Sequence, residues 1–337
     1  MKRAWKKIRY RLEWLALMAG LKLVPLLSRR ACYRLAGAAG ALAAKFDRRG
    51  REVASANLEA AFGSQFSPAR RAEIVRESYQ HFARTMLDLF WSPRLSRENF
   101  AQYFEFEGIE RAQAEIAPSH SCIVGAFHYG NFEWLSLACG WLGFPSAITT
   151  QEFKNPLLDG FFQKLREQSG HATVPREGAI IKLYKVLRKK GRAALLVDTT
   201  LPPHHPTVVI ECFGLKTIVT VAHAWLQDRT GVPIIPLYCE PLPGGRYRVV
   251  AQPKVQPPKG ATHQEIAQAC WDSFEPVVRQ NPAPWLWAYK HWRYRPAGAT
   301  GYPFYAQESS AFEQIASRPD YAKLDRSALP EAASSSV

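Results

Sequence analysis

The chain has 337 residues, 47% of them hydrophobic and 22% charged. That is globular composition with enough length for a sizeable core, and it excludes a disordered or fibrous chain. The formal net charge of +15 calls for an anionic partner: nucleic acid, a membrane surface or an acidic ligand.

The charge is concentrated at one end. Fourteen of the 44 Lys/Arg lie within residues 1–51, opposed there only by Glu13 and Asp47. Between Leu12 and Leu27 the sequence is mostly apolar, but Glu13, Lys22 and Pro25 interrupt it. A spanning helix needs ~20 apolar residues, so interfacial helices are expected, with a single N-terminal anchor as the variant. Trp5, Tyr10 and Trp14 sit among the cations, as aromatic rings do at headgroup level. A second such helix is read over residues 31–44. Each cation beside an anionic leaflet contributes ~1 kcal/mol, so several of them give stable peripheral attachment. An export signal is disfavoured because Lys22 breaks the apolar stretch and no polar cleavage region follows. Nucleic-acid binding is disfavoured because no recognised module occurs and Leu and Ala dominate between the charges.

Further along, residues 51–91 carry helical periodicity, and Ser67-Pro68 fits a cap and first helical position. Phe104–Glu107 reads as a short strand. Residues 121–127, SCIVGAF, form a continuous apolar run of buried-strand type. His128-Tyr129-Gly130-Asn131-Phe132-Glu133 follows, then a helical segment. Ala147–Thr150 reads as a strand, residues 155–168 as a helix, and Arg176-Glu177-Gly178-Ala179 as the opening of another helix. Residues 193–197 are a buried strand with Asp198 at its C-terminal end. Residues 208–213 and 234–238 are strand candidates with a helical stretch, 219–230, between them. A strand over 247–251 follows the Pro243-Gly244-Gly245 turn, and residues 266–278 are helical. The tail beyond Arg326 is Ala/Ser-rich and expected to be disordered.

This alternation predicts an α/β fold: a mixed, mostly parallel central sheet flanked by helices, with N-terminal amphipathic membrane-binding helices. Three regions are expected. Residues 1–50 are the membrane-associating helices, 51–300 the α/β domain, and 301–337 an extended, partly disordered tail.

The chemistry-bearing residues lie at strand ends, where open α/β sheets place their ligands. His128 and Glu133 are five apart, and Gly130 between them permits a sharp turn. A carboxylate on one imidazole nitrogen fixes the tautomer and leaves the other nitrogen to take a proton from a hydroxyl. Such a pair needs no nucleophilic Ser or Cys. Cys32, Cys122, Cys139, Cys212, Cys239 and Cys270 form no C-x-x-C pair and lack His at zinc-ligand spacing, so reduced, cytosol-facing thiols and no metal are expected. His204-His205 stands in a Pro-rich loop without a nearby carboxylate in sequence, and is read as solvated.

HYGNFE resembles the H-x(4)-D/E motif of the lysophospholipid acyltransferase superfamily. It is closest to the H-x-G-N-W/F-E form of the lipid A biosynthesis (lauroyl/myristoyl) acyltransferases. The resemblance extends in order through KNPLLD (154–159), REGA (176–179), LLVDTT (195–200), FGLKTIVTVAHAWLQDRTGVPIIPLY (213–238) and WLWAYKHWRYRP (285–296). It departs at Gln151-Glu152, at Thr199, at Glu240 and at Tyr289-Lys290-His291, where many relatives carry other, often cationic, residues.

The resemblance implies a membrane-associated O-acyltransferase on the cytoplasmic face of a bacterial inner membrane. His128 would be the general base and Glu133 would orient it. Gly130, Asn131, Arg176, Gly178 and Asp198 are the candidate substrate-binding positions, Arg176 for a phosphate or carboxylate. The co-substrate would be an acyl carrier protein or coenzyme A thioester, with no cofactor. The acceptor would be a hydroxyl of a lipid A precursor, or another glycolipid, aminolipid or lysophospholipid. The acyl chain would lie in an apolar groove including Phe132, Trp134, Phe161 or Phe162. A hydrolase using the same pair, and a non-catalytic membrane-binding scaffold, are the rival readings.

Overall fold

The computed structural model describes residues 2–150 and 153–321. The expected disorder beyond Arg326 and the departure at Gln151-Glu152 lie outside the described residues. The chain opens with helices α1 (Lys2–Leu23), α2 (Arg29–Phe46), α3 (Arg48–Phe62) and α4 (Pro68–Trp91). Ser28, Asp47 and Ser67 cap the last three, each side chain accepting a backbone N–H of the first turn. Next come β1 (Phe104–Glu107), α5 (Ile109–Ile116), β2 (Ile123–Gly130), α6 (Phe132–Trp141), β3 (Ala147–Thr150), α7 (Pro156–Glu167), β4 (Ala172–Pro175), α8 (Ala179–Arg188) and β5 (Ala193–Leu196). The chain continues with β6 (Thr207–Cys212), β7 (Leu215–Thr220), α9 (Ala222–Thr230), β8 (Ile234–Leu242), β9 (Arg246–Ala251), α10 (His263–Asp272), α11 (Glu275–Gln280) and α12 (Ser310–Ala316).

Seven strands form the central sheet in the order β1-β9-β8-β2-β5-β3-β4. From β8 to β4 all neighbours are parallel; β9 turns back antiparallel on β8, and β1 pairs parallel with β9. The mixed, mostly parallel α/β architecture is therefore as the alternation predicted. β2 and β5 lie side by side, which brings residues 128 and 198 to one carboxyl edge.

Several local features depart from the periodicity. Residues 215–220, of which 219 and 220 fall in an expected helix and the rest in no expected element, form β7, the second arm of an antiparallel hairpin with β6. Phe213 and Gly214 both have positive φ, the two-residue turn that suits the twist of a hairpin. The 266–278 helix is two helices, α10 and α11. Residues 310–316, inside the segment expected to be extended, are helical because Phe312 and Ile315 pack on Val209 and Ile218. Among the described residues no helix is long and apolar enough to cross a membrane. Trp5, Ile8, Leu12 and Leu15 on α1, and Leu35, Leu42 and Phe46 on α2, are exposed.

α2 is fastened to the body through α4. Gly37 and Gly40 let the helices meet closely: a Cβ on Gly40 would stand 2.5 Å from the Gln80 Cα. Arg29 at the start of α2 grips the buried Asp88 of α4 with both terminal nitrogens and also donates to the Gly245 carbonyl. Asp88 further accepts from Asn131 Nδ2 at 2.9 Å and from the Tyr247 hydroxyl at 2.5 Å. Arg29→Met should cost about 3–5 kcal/mol, because it strands a buried carboxylate. The double variant Arg29→Met/Asp88→Leu should be the more stable of the two in urea unfolding.

Candidate active site

β2 alternates its side chains between the two sheet faces. Ile123, Gly125 and Phe127 point into the main core, and all are buried; Val124, Ala126 and His128 point to the opposite face and are half-buried. His128 ends this row at the carboxyl edge. Its ring lies in a hollow lined by Ser78, Phe82, Gly130, Phe132, Pro284, Trp285 and Leu286.

The carboxylate that meets His128 is Asp198. The His128 Nδ1 lies 2.8 Å from Asp198 Oδ1, and the His128 backbone N–H donates to Asp198 Oδ2 at 2.9 Å. Trp285 Nε1 donates to the same Oδ2 at 3.0 Å. Asp198 is 1% exposed and His128 24%, so the carboxylate is sealed beneath the imidazole while the ring still reaches the hollow. Burial alone would raise the Asp198 pKa. The His128 charge and the bonds from His128 and Trp285 outweigh it and hold the carboxyl below its ordinary value. His Nδ1 is thereby committed, and among the described residues no protein group bonds Nε2.

Glu133, expected as the partner of His128, is turned elsewhere. Arg166 on α7 donates Nε to Glu133 Oε2 at 3.0 Å and Nη2 to Oε1 at 2.6 Å. This bidentate pair is largely buried, and the Arg166 guanidinium also lies 5.7 Å from the Phe162 ring centroid. The physical reason is topological. Glu133 lies in the first turn of α6 and points to the neighbouring helix, whereas Asp198 leaves β5 directly beside β2. Arg166 was not singled out in the sequence. The only signal was a cation among the apolar spacings of α7.

Gly130 and Asn131 build the turn, and Gly130 also lines the His128 hollow. Gly130 has φ +55°, donates its N–H to the Pro284 carbonyl at 3.0 Å, and accepts from Thr85 at 2.8 Å; a side chain there would collide with the Cys239 carbonyl. Asn131 is fully buried; its Oδ1 caps α6 by accepting from Trp134 N, and its Nδ2 goes to Asp88. The hydrogen bonds of both residues are thus structural ones. Arg176 and Gly178 lie exposed between β4 and α8, at the same carboxyl edge as His128, and Gly178 takes a positive φ just before α8.

The apolar groove is also placed differently. Trp134 is fully buried against Trp91, Phe104 and Tyr247, and belongs to the core. Phe161 packs near Trp14, and Phe162 stacks on Phe153. Phe132 alone of the four lines the hollow, its ring 5.0 Å from that of His128. Instead, Val124 and Ala126 of β2, with Ala194 and Leu196 of β5, leave a half-buried apolar row in the middle of the sheet. Val124 also walls an apolar cavity of about 430 Å³, including space open to solvent, shared with Ile116, Cys139, Phe144, Ile235 and Leu237. That larger cavity lies at the far end of β2, whereas the polar chemistry sits in the smaller hollow at His128.

Among the described residues no group of His, Cys, Asp and Glu is arranged to hold a metal, and all six thiols are free. Burial pushes Cys122, Cys139 and Cys270 up to about 12, so these thiols are unreactive at neutral pH. No curated protein matches the chain. A family model described as bacterial lipid A biosynthesis acyltransferase matches residues 1–294. With that match over most of its length, the chain belongs to the bacterial lipid A biosynthesis acyltransferase family, and so to a family of acyltransferases.

Proposed function

We propose that the protein transfers a fatty acyl group from an acyl thioester, carried by acyl carrier protein or coenzyme A, to a hydroxyl of a lipid A precursor. The observation that carries this reading is the oriented imidazole: Nδ1 held at 2.8 Å by Asp198, the ring lining a hollow at the carboxyl edge of the sheet. Nε2 takes the proton of the acceptor hydroxyl as its oxygen attacks the thioester carbonyl carbon. Asp198 stabilises the imidazolium that forms. The tetrahedral intermediate then expels the thiolate, which recovers the proton. The first-turn N–H groups of α6, beside Phe132, supply partial positive charge for the oxyanion.

Two further features support the reading. The half-buried row from His128 to Val124 is about 13 Å long along the strand and ends at the apolar cavity, a course that suits an acyl tail. The exposed apolar residues of α1 and α2, interspersed with Lys and Arg, suit peripheral attachment to the cytoplasmic face of the inner membrane. Glu133, on this account, acts through Arg166 to hold α7 against the start of α6.

In vesicles supplied with acyl thioester and lipid A precursor, mass spectrometry should find one added acyl group. His128→Ala should lower the rate by ~10²–10⁴-fold, and Asp198→Asn by more than about tenfold at unchanged fold. Asp198 has its carboxyl pKa depressed in the folded state. Its contribution to stability is therefore present above the ordinary carboxylate value of about 4 and fades as pH falls through the lower folded value. Unfolding midpoints of the parent and Asp198→Asn should converge in that acid range.

Glu133→Gln should lower the unfolding free energy by about 3–5 kcal/mol, since it leaves Arg166 unpaired, and Glu133→Gln/Arg166→Met should regain part of it. Activity lost at full stability would instead return Glu133 to a direct role beside His128. Val124→Phe should narrow the row and shift preference toward shorter acyl chains, read by competing thioesters of different length. An unchanged chain-length profile would remove that row from the acyl path.

A further inference from the structure

Among the described residues the Asp198 carboxylate has three hydrogen-bond partners, and two of them belong to one residue. His128 meets Oδ1 with its ring Nδ1 at 2.8 Å and gives its backbone N–H to Oδ2 at 2.9 Å. The third is the indole Nε1 of Trp285, which donates to Oδ2 at 3.0 Å. Two donors occupy the lone pairs of Oδ2, so Oδ1 is left for the imidazole. Bonds that run only between His128 and Asp198 would leave the pair free to tilt as a unit. The indole is the one donor, among the described residues, that ties the carboxylate to another part of the fold.

Trp285 is itself fixed to the wall of the hollow. It pairs with Tyr129, the residue after His128, in an antiparallel bridge, and the Pro284 carbonyl accepts the Gly130 N–H at 3.0 Å. The Trp285 carbonyl accepts from the Ser78 hydroxyl at 2.6 Å. Ser78, Gly130, Pro284 and Trp285 all line the hollow. The ring is clamped as well. His291 stacks on it with centroids 3.8 Å apart, and Trp287 meets it edge-on at 4.8 Å. A buried ring held in this way has already lost its rotamer freedom, so its N–H stays on target. The other titratable groups that act on Asp198 are Cys212, Cys270, Tyr289 and His291. Burial raises the thiols and the phenol and lowers the imidazole, so all four are uncharged at neutral pH. None of them supplies a charge that would take over the part of the indole.

We propose that Trp285 is a positioning residue of the transfer reaction: its indole N–H registers Asp198, and through it the His128 ring, against the wall of the hollow that receives the acceptor hydroxyl. The inference rests on the acyl-transfer reading for the reaction, but not for the order that the indole imposes on Asp198. Trp285 acts through Asp198 and takes no proton itself.

The test uses the full chain with the Trp285 indole replaced by benzothiophene, introduced as the unnatural amino acid. This ring keeps the volume and the stack on His291 and loses only the donor. Trp285→Phe is made beside it, and the isostere decides if the Phe variant fails to fold. In the transfer assay kcat of the isostere should fall by about tenfold, while KM for either substrate changes less than about twofold. In an Asp198→Ala background the same replacement should cost less than about twofold, because no carboxylate remains to be held. With one donor fewer the carboxylate keeps a proton more readily, so the acid limb of the pH–rate profile should move to higher pH by about half a unit to one unit. Equal losses in both backgrounds, or an unchanged kcat and acid limb in the folded isostere, would overturn the role of Trp285. Should the parent transfer no acyl group, carbon-13 NMR of the Asp198 carboxyl still decides. An upward move of its titration in the isostere would uphold the tie to Trp285 and count against the transfer reading alone; no move would overturn the tie.

Discussion

A single buried carboxylate ties the N-terminal helices to the turn that follows His128. Asp88 takes both terminal nitrogens of Arg29 from α2, the Asn131 amide from the turn after β2, and the Tyr247 hydroxyl from β9; its carbonyl accepts from Trp134 Nε1. Burial works against the charge on Asp88, and Arg29, Tyr247 and Asn131 oppose that effect. The guanidinium also lies 4.6 Å from the Trp134 ring centroid. Three segments distant in sequence thus converge on one acid of α4. Asn131 is fixed by it, Gly130 is fixed by Asn131's turn, and the course of the chain past His128 follows. The basic N-terminal segment is therefore part of the frame of the site as well as a surface.

A second layer fixes Asp198 from the other side. Trp285 donates to it, and His291 stacks on the Trp285 ring with centroids 3.8 Å apart and planes 22° apart. Burial pushes His291 down to about 4, so at neutral pH it is an uncharged slab and does not compete with His128 for the carboxylate. Its carbonyl accepts from Thr200 and Thr217, and this joins the loop after β5 to the hairpin of β6 and β7. The hairpin that local periodicity did not indicate is thus one of the supports of the acid.

Much of this organisation was legible in the sequence. Apolar runs ending at His128 and Asp198 announced parallel strands with polar groups at their carboxyl ends, because a strand buried on both faces cannot alternate. What local sequence could not give was adjacency. His128 and Glu133 are near in the chain, and the spacing favoured them as partners; Asp198 is seventy positions away, and only the β2–β5 pairing brings it to the imidazole. Arg166 escaped for the same reason, since its meaning depends on α7 packing against α6. The hairpin was missed because its turn uses Phe213 at positive φ, a residue that carries no turn signal of its own.

The separation of the two carboxylates has a chemical consequence. Glu133 spends its charge on Arg166, so that pair is neutral and presents little field to the hollow. Asp198 faces an imidazole instead of a guanidinium. Among the described residues no Lys or Arg bonds it, and on the proposed mechanism the positive charge that develops on His128 as the hydroxyl is deprotonated is what it meets. An acid already neutralised by arginine would stabilise that imidazolium far less. Had Glu133 served both partners, each would have weakened the other. On the proposed mechanism, assigning one carboxylate to the scaffold and one to the imidazole lets α6 be held while the attraction between Asp198 and His128 strengthens during proton transfer, the kind of differential interaction that accelerates a reaction.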